Sequence, residues 1–291
     1  MSARAARSSW RRFPHPDKAY LYAESRLKAH WPRLHCGDRE PFPDAHRLET
    51  MLGGAHGEDH PLSGRTGGWK ALSAEVQQAW RLYHEGEFEK AVRLAASLRS
   101  AGRCVASKAA TVYANYLEQD PNRRLELFES AAQEAERAAA AMPDHANAHY
   151  LRAFALGRYS QGISVLVALS RGLGGKVKTS LDRALELDPG HADAHIASGA
   201  YHAEIIDKVG GLVGGLTYGA NKDDGLAHYR KAMELNPHSA IARIEYANGL
   251  LLMFGTSRRA EAEQLYREAA GIEPADAMER LDAELAASML R

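Results

Sequence analysis

The chain has 291 residues, of which 45% are hydrophobic and 25% charged, and its 37 lysines and arginines are balanced by 37 aspartates and glutamates. A formal net charge of zero speaks against a generally basic nucleic-acid binder, and the composition is that of an ordered globular protein rather than a disordered one. Two cysteines, Cys36 and Cys104, are too few for a disulfide framework or a four-thiolate metal site; they suit a reducing compartment, and a cytoplasmic location is expected.

At the N-terminus Arg4, Arg7, Arg11 and Arg12 precede the first acid, Asp17, but no apolar run follows as a secretion signal requires; a matrix-targeting peptide shares the same Arg-rich, acid-poor character. Asp17 is placed to cap a helix from Ala19 to His30, with Tyr20, Ala23, Leu27 and Trp31 on one stripe, and Asp44 to cap a second helix ending at Leu52. Residues 53–68 (GGAHGEDHPLSGRTGG) read as a flexible linker. Residues 1–70 thus form a partly irregular extension that either packs on the rest through Tyr20, Tyr22, Trp31 and Phe42 or stays partly mobile.

From residue 71 to the end, Ala-rich segments carry helical periodicity, and breakers recur at intervals a little above thirty residues. ALELDP ends at Pro189, AMELNP at Pro237 and AAGIEP at Pro274, with AAAAMP at Pro143 as a fourth copy. In register with these prolines stand Ala138, Ala184, Ala232 and Ala269, the bulky Leu181, Tyr229 and Tyr266, and the small Ala153, Gly199 and Ala247. An earlier segment, AWRLYHEGEFEKAVRLA, contributes Ala79, Gly86, Phe88 and Ala91. The pattern resembles the tetratricopeptide repeat (TPR) family, which implies an all-α superhelix of antiparallel helix pairs. Five units follow, at about 72–105, 106–145, 146–191, 192–239 and 240–276, with 277–291 as a capping helix.

Units three and four run longer than the family's ~34 residues because each carries a Gly-rich, apolar insertion between its two helices. These are 162–176 (GISVLVALSRGLGGK) and 207–221 (DKVGGLVGGLTYGAN), whereas surface loops are ordinarily polar. Here the chain resembles TPR proteins associated with bacterial substrate-binding transporters, and microtubule-dynamics-regulator-like TPR proteins. Leu166 and Leu169 in the first insertion and Leu212 and Leu216 in the second are the residues expected to face an enclosed apolar ligand. The most apolar stretches, 163–169 and 250–254, are far shorter than the ~20 residues of a membrane helix, so no membrane span is expected.

Motifs for catalysis are missing. Gly172, Gly174, Gly175 and Lys176 fail the phosphate-loop pattern because Ser170 and Val177 stand where Gly and Ser/Thr are needed, and Gly210, Gly211, Gly214 and Gly215 miss the dinucleotide spacing. His145/His149 and His191/His195 have the i, i+4 spacing of a helical metal chelate, but both pairs fall at one repeat phase, which a structural role explains. His30, His35, Cys36, His46, His56 and His60 offer ligand chemistry without fixed spacing. Neither catalytic residues nor a metal or other cofactor is therefore expected.

The family resemblance places Trp80, Tyr83, Tyr150, Phe154, Ile196, Ile244 and Asn248 along a concave groove. Asn248 alone matches the Lys/Asn set with which chaperone-binding members hold a peptide carboxylate. The lead expectation is a non-catalytic scaffold holding a protein or peptide partner in that apolar groove, unless the extension or the insertions fill it. The alternative is a carrier of a small apolar molecule enclosed by the two insertions, in which Leu166→Asp and Leu212→Asp abolish uptake.

Overall fold

A computed structural model describes residues 10–55 and 59–291; Arg4, Arg7 and His56 lie outside the described residues. The extension contributes α1 (Glu24–Leu34) and α2 (Ala45–Leu52), and the repeats begin with α3 (Gly68–His84) paired with α4 (Phe88–Ala96). Next come α5 (Arg103–Tyr116) with α6 (Pro121–Ala141), and α7 (Ala146–Gln161), which is followed by the short α8 (Val165–Ser170) before its partner α9 (Leu173–Leu187). In the same way α10 (Ala192–Val209) is followed by the short α11 (Gly211–Tyr218) before α12 (Lys222–Leu235). The last pair is α13 (Ala240–Phe254) with α14 (Arg259–Ala270), and α15 (Ala277–Ser288) closes the array. No strand occurs among the described residues, and the fold is an all-α TPR-type superhelix.

Local chemistry sets the helix starts. Asp44, Asp120, Asn221, Ser239 and Asp276 each occupy an N-cap, with a side-chain oxygen accepting from a backbone N–H two or three residues on. Each such cap contributes about 1 kcal/mol. Pro121 occupies the first turn of α6, where its missing N–H costs nothing. The expected helix at 19–30 begins later, at Glu24. The Asp17 carboxylate accepts from Ala19 N–H at 3.3 Å but also pairs with Arg280, which holds this stretch against α15 in a non-helical path.

Small residues let the helices approach. In α5, Ala106, Ser107, Ala109, Ala110, Thr111 and Ala114 are all buried, and the helix packs against α3, α4, α6 and α7. Tyr229 of α12 is wedged between two glycines: a Cβ on Gly199 would come within 2.8 Å of its ring, and one on Gly249 within 2.6 Å of its hydroxyl. An L residue at either site would press its Cβ into the buried ring and force α10 or α13 away from α12.

Two expectations change. The stretch read as a flexible linker is anchored where it is described: the Asp59 carboxylate pairs with Arg103, its carbonyl accepts from Ser100 Oγ at 3.0 Å, and Arg65 pairs with Glu75. The two insertions are short helices rather than loops, because Ser164 caps α8 and the glycines Gly210 and Gly219 bracket α11 in conformations with positive φ.

Candidate functional site

The inner helices α3, α5, α7 and α10 pack side by side, and the extension lies across them. Trp31 of α1 crosses Trp80 edge to face with ring centroids 5.9 Å apart, and its indole N–H donates to the Glu40 carbonyl at 2.7 Å. Further along, Ser73 Oγ donates to the Pro43 carbonyl at 2.7 Å, and Asp193 N–H donates to the Gly37 carbonyl at 3.0 Å. Glycine at position 37 permits this approach, since a Cβ there would lie 2.2 Å from the Asp193 carboxylate and force that side chain to turn away. At the far end Arg33 makes a two-pronged ion pair with Glu279 of α15, at 2.6 and 2.8 Å.

A buried polar relay runs beneath this segment. The Lys108 ammonium on α5 pairs with Asp38, whose other oxygen accepts from His35 Nδ1 at 2.8 Å. His35 Nε2 lies 3.2 Å from His84 Nε2, and His84 Nδ1 donates to Asp276 at 2.8 Å. Burial pushes the Asp38 carboxyl up, but Lys108 and His35 outweigh it and hold the group well below the usual carboxylate range. Burial likewise favours a neutral Lys108 amine, and Asp38 more than restores its charge. These partners lie far apart in sequence, so spacing gives no sign of them; a lysine within the small-residue run of α5 was the available hint.

The groove residues expected to meet a partner therefore divide. Trp80 and Tyr83 are buried beneath the extension and are unavailable to another chain, a correction whose cause is the aromatic packing of Trp31 and His35 against Trp80. Ile244 is fully buried, and Asn248 accepts from the Tyr266 hydroxyl at 2.6 Å. Tyr150, Phe154 and Ile196 instead line a cavity of about 160 Å3 further along the same face.

Val112, Phe154, Leu173, Val177, Ile196 and Ile205 provide its apolar wall, and Leu169 of α8 and Tyr218 of α11 border it. Its polar groups include Lys108, Tyr116, Asp193, Asp282 and the Arg158–Glu245 pair, the last at 2.6 Å, with Ser160, Gln161, Glu204 and Lys208 also on the lining. Burial, reinforced by Asp276, Glu279 and Asp193, pushes Asp282 up to about 8, although the Tyr116 hydroxyl that donates to it pulls the other way. Burial also raises Asp193 to about 7 against the pull of Lys108. At neutral pH Asp282 is mostly protonated and Asp193 divides between its two forms, so both can donate as well as accept hydrogen bonds.

Of the insertion leucines, Leu169 alone reaches the cavity wall. Leu166, Leu212 and Leu216 are 79%, 79% and 83% exposed and point away from any enclosed ligand. Each histidine of the two pairs has a ring nitrogen engaged with another partner. His149 and His195 bond to the carbonyls of Pro143 and Pro189, and His191 caps α10 by accepting from Ala194 N–H at 3.1 Å.

A family model described as "Regulator of microtubule dynamics protein 1-3" matches residues 76–290, from within α3 to the end of α15. The chain belongs to this family. As a member of the regulator of microtubule dynamics 1-3 family it is also similar in fold to a solved thermophilic TPR protein from Thermus thermophilus, with a TM-score of 0.52 and 16% identity over 75% of this chain and 99% of that one. No curated protein sequence matches the chain. No described helix of this family member is long and apolar enough to cross a membrane.

Proposed function

We propose that the protein is a non-catalytic carrier that holds a small amphipathic molecule in the cavity between α7, α9 and α10. The observation behind this reading is an apolar-walled space that carries the Asp193 and Asp282 carboxyls, both raised by burial, beside the Tyr116 hydroxyl, in a groove whose other half is occupied by the chain's own extension. Its volume is close to that of an engineered ~150 Å3 apolar cavity that takes up benzene. Each buried methylene of a ligand stabilises the complex by about 0.8 kcal/mol before association costs are subtracted. Asp193, Asp282 and Tyr116 suit a hydroxyl, amide or protonated acid at the polar end.

Gly157 supplies the test. It lines the cavity, and a Cβ built on it meets nothing within 4 Å, so Gly157→Leu fills the space without backbone strain and adds helix propensity. Titration of the full chain with 1-aminoanthracene, an uncharged fluorescent apolar probe, is expected to saturate at one site. Gly157→Leu should weaken binding at least tenfold with unchanged circular dichroism. Equal binding by the variant places the probe elsewhere and removes the cavity from the proposal.

A protein-binding scaffold is the second reading, and its support lies on another surface. Most of the large exposed hydrophobic side chains sit on α8 and α11, among them Val165, Leu166, Leu212, Val213 and Leu216. Contiguous exposed apolar surface is a common mark of protein association. A pull-down that depends on Leu166 and Leu212 while Gly157→Leu has no effect would favour this reading over the carrier.

A further inference from the structure

Cys104 in the first turn of α5, His145 at the N-cap of α7 and Glu40 on the extension bring a thiol, an imidazole and a carboxylate together; one ligand atom from each lies within 4.8 Å of the other two. Glu40 Oε2 and His145 Nε2 are 3.1 Å apart. The edges of a tetrahedral zinc site with these ligand types are roughly 3.3–3.6 Å, so that pair already stands near coordination distance and only the thiol side has to close. All three residues also border a separate small cavity of about 20 Å3, which is room for one water molecule. Three protein donors facing a water-sized space supply the four positions of such a site.

The surroundings fix these donors as outer-shell groups do at metal centres. Asn147 Nδ2 donates to Glu40 Oε2 at 2.5 Å, Trp31 Nε1 holds the Glu40 carbonyl, and the Glu40 N–H donates to Asp38 at 3.3 Å. Arg47 borders the same small cavity but is exposed, so solvent screens its charge.

From this geometry we propose a divalent transition-metal site, suited to zinc, formed by Glu40, Cys104, His145 and one water. A thiolate–imidazole–carboxylate set selects zinc or cobalt over calcium or magnesium, which take oxygen ligands. On binding, the Cys104 thiol gives its proton to solvent and its sulfur bonds the metal, while His145 ligates through Nε2 as the neutral ring with its proton on Nδ1, so that the Nε2–Glu40 contact is exchanged for a shared cation. The ion then ties the extension to α5 and α7. Neither histidine pair read from the sequence is used as a pair, and the cavity proposed for the amphipathic ligand plays no part.

Cobalt(II) is the probe, because a thiolate ligand gives it a charge-transfer absorption that imidazole and carboxylate alone do not. The metal-stripped full chain should bind one cobalt with that band, and added zinc should abolish it. Cys104→Ser should remove the band, and Asn147→Ala should weaken binding about 10–100-fold. A folded wild-type chain that gives no thiolate band, or a Cys104→Ser chain that binds cobalt with wild-type affinity, overturns the site and leaves an ion pair only. If Cys104→Ser does not fold, Glu40→Gln on the extension decides: weaker binding of at least tenfold sustains the site, and unchanged affinity refutes it.

Discussion

His35 and His84 face each other through their Nε2 atoms at 3.2 Å, and each ring offers its Nδ1 to a different aspartate. The pair joins the extension to α3, while Asp38 and Asp276 carry the connection on to Lys108 of α5 and to the cap of α15. The relay thus ties both ends of the array to its middle, and the Tyr83 hydroxyl, 3.0 Å from the Met278 sulfur, lies on the same seam.

Removing one member should therefore release the extension. Asp38→Ala leaves the Lys108 ammonium buried without its counter-ion, a change that costs about 3–5 kcal/mol. Limited proteolysis should then cut between residues 36 and 44, where the wild type resists, and tryptophan emission should shift to the red as Trp31 and Trp80 meet water. Replacing both ions, as in Asp38→Ala with Lys108→Met, is expected to recover much of the lost stability because no unpaired charge remains. Equal protease resistance of Asp38→Ala and wild type would show that the apolar contacts hold the extension alone.

Stability should depend on pH through two buried groups of opposite sense. Burial lowers His191 to about 4, so the folded chain excludes a proton that the unfolded chain takes up below about 6.5, and this contribution is lost as pH falls from 6.5 towards 4. Burial raises Asp282 to about 8, so the folded chain keeps a proton that the unfolded chain has released, and this contribution is lost as pH rises from about 4 towards 8. The two slopes oppose each other between about 4 and 6.5. Above 6.5 the Asp282 contribution is left, and the unfolding free energy from urea titrations should fall between pH 6.5 and 8 by on the order of 1.4 kcal/mol per pH unit. Asp193, partly open to the cavity, adds a smaller decline in the same direction. Asp282→Asn should flatten this limb; an unchanged slope in that variant would assign the decline to another group.

Packing around Tyr229 gives a prediction independent of charge. Gly199→Ala and Gly249→Ala each place a methyl inside van der Waals range of a ring that cannot move, because it is fully buried and stacked on Tyr246 at 5.2 Å. Each should cost about 1–3 kcal/mol in urea denaturation, despite the better helix propensity of alanine. Gly175→Ala, at a helical glycine with open space around its Cβ, should be neutral or stabilising. A stable Gly249→Ala would mean that α12 and α13 slide apart at little cost.

The helix pairs were legible because their signals are local: the proline after each second helix, Ala184 and Ala232 at tight crossings, and the Asp44 cap within four residues. The filled groove was legible only as an alternative. Asp38 meets Lys108, and Glu40 meets His145, across separations that no periodicity encodes, so the open-groove reading kept Trp80 and Tyr83 as partner residues. Phe154 and Ile196 line the cavity together with Asp282 and Tyr116, which carry no local signal because the cap and α5 meet only in the folded superhelix. In the insertions, apolar composition without helical period suggested loops; Ser164, placed to accept from Val167 N–H, was the signal for a helix that the reading passed over.

Those insertions also set the expected behaviour of their leucines. Read as inward-facing loops, they make Leu166→Asp and Leu212→Asp abolish uptake. As exposed faces of α8 and α11, the two side chains touch no part of the cavity wall, so the same substitutions should shift stability by no more than about 0.5 kcal/mol and leave the affinity for 1-aminoanthracene at equilibrium unchanged. What they should change is association at the surface. With Val165, Val213 and Leu216 they expose apolar side chains on α8 and α11, and introducing two carboxylates makes burial of either helix face against any partner costly. Sedimentation velocity over a concentration series, run on wild type and the double variant, separates the two roles. Self-association in the wild type that the variant lacks, with uptake intact in both, assigns the leucines to contact; lost uptake in the variant assigns them to the cavity after all, through movement of α8 and α11 onto the ligand.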